Sequence, residues 1–171
     1  MVNRYSLADH TVVVTMPTFS GIPGMDEISG KQLKFGGPGQ NNQDGSFIGS
    51  ITVTRENDTW STEGDATGSW VHSKSLNRTG SVRLSIRQVS DDVIYLMMIA
   101  QMFENFSLPH GMDIVVFNGG ERVAEAEDCY LTRIPEQVYG DTAVTQDWGW
   151  TAGRVHFPQT RSWNSQGSRV N

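Results

Sequence analysis

The plainest pattern in the chain is an alternation over residues 81–89. Val82, Leu84 and Ile86 take every second place, and Arg83, Ser85 and Arg87 fill the gaps. A period of two puts one set on a core and the other on a polar, basic face, the mark of a half-buried strand. The same logic gives a strand over 46–56, with Ile51, Val53 and Arg55 on one side and Thr52, Thr54 and Glu56 on the other. Residues 10–16 are β-branched and read as a strand, and 31–35 as a short one. Residues 57–64 and 75–80 read as turns. Between them 65–73 reads as a strand, with Gly68 at a bulge. Residues 112–117 are a further strand, and Asn118-Gly119-Gly120 is a hairpin turn. A long, bent strand follows over 121–134. Its residues Glu121, Val123, Glu125 and Glu127 share one face if no bulge intervenes. Residues 135–141 turn the chain into a last long strand over 142–157.

One stretch breaks the rule of two. Residues 90–106, SDDVIYLMMIAQMFENF, hold no Gly or Pro and read as a helix. Ser90 is a natural N-cap, and Asp91 and Asp92 follow where carboxylates favour the positive end of the helix dipole. The apolar residues cover far more than one stripe, so the helix is expected to be buried on several sides. A small domain rarely covers such a helix alone, which points to a partner chain, with Met98, Ile99 and Met102 as candidate contacts between subunits. Strands, a lone helix, then strands predict a mostly β (α+β) fold: an antiparallel β-sandwich or open barrel with one packed helix. The expected organisation is a single domain over 1–157 and a polar tail over 158–171. Residues 17–45 form a Pro/Gly-rich loop that holds three of the chain's six prolines. Loops of that length are usually functional or disordered until bound.

Composition narrows the function classes. The 171 residues fit one domain with a sizeable core. The net charge of −6 argues against a dedicated DNA-binding surface, which needs a basic patch. The single cysteine, Cys129, excludes an internal disulfide and reads as a buried small hydrophobe rather than a catalytic thiol. The N-terminal residues lack the apolar core of a signal peptide, and 90–106 is too short and too acidic at its ends to span a membrane. The expectation is a soluble chain made in a reducing compartment. The Asn-x-Ser/Thr triplets at Asn57, Asn77 and Asn105 are then chance matches.

Candidate chemistry is sparse. His10, His72, His110 and His156 have no metal-ligand spacing. Gly36-Gly37-Pro38-Gly39 lacks the Lys-Ser/Thr ending of a phosphate-binding loop. No G-x-S-x-G elbow occurs. Glu63 and Asp65 are a carboxylate pair of the kind a glycosidase uses, although acids beside a turn are usually just solvated. Trp60, Trp70, Trp148, Trp150 and Trp163 fit a sugar-binding platform or, the favoured reading, core and interface packing. The expectation is a protein that is not an enzyme, with no catalytic residues, cofactor or metal.

Residues 52–106 carry T-V-T-R-E-N-D, then G-D-A-T-G-S-W-V-H-S, then R-T-G-S-V-R-L-S-I-R-Q-V-S-D-D ahead of the helix. This succession resembles the tail tube proteins of tailed bacteriophages, in particular those of contractile tails. The matching residues are Glu56, Asp58, Asp65, Gly68, His72, Ser73, Thr79, Gly80, Val82, Ser90 and Met102. Leu131–Pro135 (L-T-R-I-P) and Trp148–Gly153 (W-G-W-T-A-G) extend the likeness, which covers roughly 46–157. It rests on the order of elements and scattered residues. The 17–45 loop and the tail are longer than the family's outline.

The resemblance implies a structural protein of the virion, assembled in the host cytoplasm. Tube proteins of this kind form six-fold rings. Their sheets join across subunits into a barrel around a channel, and the rings stack. The implied partners are further copies of the chain, a sheath protein, a tape-measure protein, and tail terminator and baseplate hub proteins. DNA is met only in transit, and no membrane is involved. Within that picture the acidic balance suits a channel that must not hold a polyanion. Glu121, Glu125 and Glu127 are candidates for the lumen, with an ordinary solvated strand as the alternative. A minor tail, baseplate, secretion or tailocin tube protein is a second reading. A small β-sandwich carbohydrate-binding protein is a third.

Overall fold

The computed structural model describes residues 7–18, 24, 26–36, 48–88, 91–142 and 144–158. A 3-10 turn at Leu7–Asp9 leads into β1 (His10–Thr15) and then β2 (Gln32–Gly36). β3 (Ile48–Arg55), β4 (Trp60–Gly64), β5 (Trp70–Lys74) and β6 (Gly80–Arg87) precede α1 (Asp91–Asn105). β7 (Met112–Asn118), β8 (Glu121–Arg133) and β9 (Thr145–His156) follow it. Seven strands make one antiparallel sheet in the order β2-β1-β7-β8-β9-β6-β3, and β4 and β5 pair by themselves. The mostly β architecture with one helix is the one the alternation predicts.

Alternation becomes burial along the large sheet. In β6, Val82, Leu84 and Ile86 are buried while Arg83 and Arg87 are exposed. Val12 and Val14 of β1, Met112, Ile114 and Val116 of β7, and Trp148 and Trp150 of β9 face the same core. Ile51 and Val53 of β3 and Val116 of β7 line one cleft, although three strands separate β3 from β7 in the sheet. The sheet therefore curls around its contents. It does not close, because β2 and β3 each pair on one side only among the described residues.

Two close approaches fix the curl. A Cβ on Gly80 would sit inside contact distance of the Thr54 carbonyl, so only glycine lets β3 and β6 pair there. In β8, Asp128 takes a left-handed φ of 54°, and its Oδ1 accepts a hydrogen bond from the Gly111 N–H at 2.8 Å. That bulge bends the long strand, as its length led one to expect. A second irregularity lies where Ala124 pairs with Val116 but Arg122 pairs with Phe117, leaving Val123 out of register. It moves Glu121 off the face that Glu125 and Glu127 share, so the single acidic face expected without a bulge is not formed. Arg122 takes the place beside Glu125, and the two form a salt bridge at 2.9 Å.

The helix lies where it was expected but needs less help. Val93, Leu96, Ile99, Ala100 and Met102 are buried against the chain's own sheet, and Tyr95, Met97, Met98 and Phe103 pack partly against it. Along 91–106 the exposed large hydrophobics are Ile94 and Phe106, at 60% and 51%. A sheet that curls covers a helix on more sides than a flat one, so an all-round apolar helix does not by itself demand a partner. The Tyr130 hydroxyl donates to the Leu108 carbonyl at 3.2 Å, and its ring meets Phe103 at 5.1 Å, which ties the end of α1 to β8. The expected cap, Ser90, lies outside the described residues, as do 19–23, 25, 37–47 and the tail beyond Pro158.

The largest departure is at 57–74. Residues 60–64, expected as part of a turn, form β4, and the strand expected at 65–73 begins only at Trp70. Between them 65–69 make the turn, with Gly68 in it at φ 87° rather than at a bulge. Every residue of both strands is exposed. WSTEG offers no alternating apolar face because neither side of this ribbon meets a core.

Candidate functional site

The ribbon extends the β3–β6 ladder beyond the body. Glu56 N–H donates to the Thr79 carbonyl at 3.1 Å and Ser75 N–H to the Thr59 carbonyl at 2.8 Å, so the two chains stay paired up to Trp60 and Lys74. The turn at its tip is built by Asp65. Its Oδ1 accepts from the Thr67 hydroxyl at 2.6 Å, the Thr67 N–H at 2.9 Å and the Ser69 N–H at 3.0 Å. These bonds, the Thr67 hydroxyl foremost, hold its carboxyl below the usual 3.8. Three donors lock a five-residue turn that no hydrophobic contact supports.

Register decides what the ribbon presents. Trp60 pairs with Lys74, Thr62 with His72 and Gly64 with Trp70, so both tryptophans, His72 and Lys74 share one side. Glu63, Val71, Ser61 and Ser73 share the other. Trp60 and Trp70 are 59% and 67% exposed, and Val71 is 65% exposed. The Thr62 hydroxyl lies 2.9 Å from His72 Nδ1, and the Lys74 ammonium lies 5.7 Å from the Trp60 ring centre. The core tryptophans Trp148 and Trp150 are buried, as packing residues should be, and Trp163 lies outside the described residues. Sequence reading treated these residues as one class. The missing signal was that Trp60 and Trp70 flank a polar stretch with no alternating apolar neighbours.

The other candidates are dispersed. Asp65 spends its acceptor capacity on its own turn, and exposed Glu63 pairs across β4 and β5 with Val71, so no acid–base pair is assembled. Among the described residues, no group of three or more His, Cys, Asp or Glu side chains converges. No helix among them is long and apolar enough to cross a membrane. Cys129 is fully buried, and burial, then Asp113 and Asp128, pushes its thiol up to about 12. Such a thiol is protonated and inert near neutral pH. Glu125 is half-buried and Glu127 exposed, the latter 3.7 Å from Arg154. Of the three helix residues, Ile99 and Met102 are used up in the chain's own core, which leaves Met98, half-buried, with surface to offer.

Among the described residues, surface suited to association includes the outer edges of β2 and β3, the ribbon and clefts in the body. The first cleft, of about 420 Å³, lies between β3 and β8 and is lined by Ile51, Val53, Val123 and Phe157. The second, of about 460 Å³, lies at the other end of the sheet, where Arg133 to Val138 pass Val144 to Asp147.

No known family profile and no curated protein matches the sequence. Solved structures do share the fold. A chain of the anti-feeding prophage baseplate aligns with a TM-score of 0.55 at 9% identity, over 95% of this chain and all of that one. A chain of the PVC extracellular contractile injection system, from its sheath–tube complex in the extended state, aligns at 0.51 with 11% identity, over 92% and 93%. A chain from the sheath/tube terminator of the same system aligns at 0.50 with 10% identity, over 92% and 99%. At these identities the likeness is one of fold.

Proposed function

We propose that this chain is a structural subunit of a contractile-tail or injection tube, built from stacked hexameric rings around a channel. The observation that carries the reading is the open sheet. It curls around its own core yet, among the described residues, β2 and β3 at its two ends each pair on one side only. Free strand edges invite another strand, and joining β2 of one copy to β3 of the next would satisfy both and extend the curl into a closed wall. A heterologous contact of that kind closes into a ring when its rotation divides the circle. The fold likeness to chains of a sheath–tube complex and a tube terminator supports the same reading over nearly the whole chain. In a phage tail the channel would hold a tape-measure protein and pass DNA, with a sheath outside and terminator and baseplate hub proteins at the ends. Glu125 and Glu127 on the outward face of β8 are our candidates for its wall.

A second reading has its own support. The likeness to a baseplate chain covers all of that chain, which fits a subunit that starts a tube rather than fills it. Negative-stain microscopy of the purified chain separates the outcomes. Rings of even bore that stack into tubes support the first reading. Single rings that stack only on a baseplate support the second. A chain that stays monomeric at high concentration overturns both.

A further inference from the structure

We propose that Asn118 is a self-modification site: its side chain closes on the Gly119 nitrogen to form a succinimide, and the Asp9 carbonyl holds that reaction in check. The sequence supplies the reagents. Of the chain's asparagines, Asn118 alone precedes a glycine. Glycine has no Cβ to crowd its own nitrogen, so that nitrogen can reach the neighbouring carboxamide. The step balances within the chain and water. The Gly119 nitrogen gives up its proton to solvent and bonds to Asn118 Cγ, the Cγ–Nδ2 bond breaks, and the nitrogen leaves with a solvent proton as ammonia. Water then opens the ring. Attack at Cγ gives aspartate, and attack at the main-chain carbonyl gives isoaspartate, whose backbone carries one extra carbon. Asn118 and Gly119 are both exposed, so water reaches them.

The fold sets two restraints on the first step. The Gly119 N–H donates to the Asp9 carbonyl at 2.9 Å, so the proton that must be lost is engaged. Asn118 is the last residue of β7 and pairs with His10 on one side and Glu121 on the other. A strand residue holds ψ near about +135°, whereas the five-membered ring needs ψ of the opposite sign. The reaction therefore waits for this end of the hairpin to open. The restraint is remote in sequence. Asp9 ends the 3-10 turn, whose half-buried Leu7 lines the cleft beside β3. Whatever lifts that turn frees the Gly119 N–H. The product is not reversed by refolding. A carboxylate at 118 stands directly opposite Glu121, an unfavourable like-charge pair. Isoaspartate lengthens the main chain where a two-residue loop, Gly119 and Gly120, fixes the register of β7 against β8. The modification thus marks a chain whose N-terminal turn has come loose, and weakens the hairpin that held it.

The inference does not rest on the tube reading. It is tested on the full chain, folded and in urea, at mildly alkaline pH. Mass spectrometry of the peptide that spans residue 118 reads the exchange of NH2 for OH, and chromatography separates aspartate from isoaspartate. The unfolded chain is expected to convert at Asn118. The folded chain should convert at least about tenfold more slowly, as one hydrogen bond and the strand pairing together require. Two variants address the Asp9 contact without entering the core. Leu7→Asp unseats the 3-10 turn, and Asp9→Gly loosens it at the acceptor itself. Each should speed conversion of the folded chain roughly fivefold, the worth of one hydrogen bond. Asn118→Gln, which would have to close a six-membered ring, should abolish conversion at 118 in both states. Equal rates in the folded and unfolded chain overturn the restraint. Conversion confined to other asparagines overturns the site. Parental rates in both Leu7→Asp and Asp9→Gly overturn the role assigned to the Asp9 carbonyl.

Discussion

Trp148 and Trp150 stand two residues apart on β9 and are 0% and 1% exposed, while Trp60 and Trp70 share one side of the ribbon, opposite Lys74 and Gly64, at 59% and 67%. The residue type is the same, and so is the strand geometry. What differs is the neighbour on each side. β9 lies inside the sheet between β8 and β6, so one of its faces must meet the core. Among the described residues β4 pairs only with β5, and every residue of both strands is exposed. The body is held by burial of apolar area and the ribbon by hydrogen bonds around Asp65. The two regions should therefore respond to different perturbations.

The largest expected effect lies in the body. Ile99→Glu places a charge at a fully buried site and should cost more than about 4 kcal/mol, enough to prevent folding. Ile94→Glu, one turn away and exposed, should stay within about 0.5 kcal/mol. Circular dichroism in denaturant reads both. Reversed effects would mean that the helix faces have been exchanged, and equal ones that neither residue faces the core as placed. Next, Trp150→Ala should cost about 3–5 kcal/mol by emptying a core site. Trp60→Ala and Trp70→Ala should leave the midpoint of the monomer almost unchanged. Gly80→Ala, which meets backbone rather than a flexible side chain, should cost about 1–3 kcal/mol despite adding one methyl group.

The smallest effect is the most selective. The folded-state pKa of Asp65 is lowered, so its stabilisation of the turn is complete above the ordinary value of 3.8 and is lost as pH falls through the lowered folded value. The amide resonances of Thr67 and Ser69 should titrate below 3.8, with β6 and β9 unchanged over the same interval. Titration of the whole spectrum together would show that ribbon and body are one cooperative unit. In the same spirit, Cys129 should resist alkylation at about pH 8.5, where a free thiol ionises, until the body unfolds.

The parts that were legible in the sequence are those where local pattern and burial agree. Val82, Leu84 and Ile86 read as inward and are inward, and 91–105 reads as helix and is helix. The Asn118-Gly119-Gly120 turn joins β7 to β8 as expected. The ribbon was half missed because Ser61, Thr62, Glu63 and Gly64 carry no burial signal, and their pairing with 70–73 depends on a turn made by one aspartate. A shared face for Glu121, Glu125 and Glu127 required that no bulge intervene, and the bulge at Val123 that moves Glu121 off it leaves no mark in a run of alternating residues. The cleft behind Gln146 had no signal at all, since its lining comes from two segments that meet only in space.

By itself, then, the amino-acid pattern settled which residues share a side of each strand, where the helix lies and that the fold is mostly β. Alternation fixes relative sides because the pleat repeats every two residues. It does not say what each side meets. The curl of the sheet, the burial of Val93, Leu96, Ile99 and Met102 against it, the outer edges of β2 and β3 and the projecting ribbon were decided only in three dimensions. There the order of strands determines which faces find a core and which are left for another molecule.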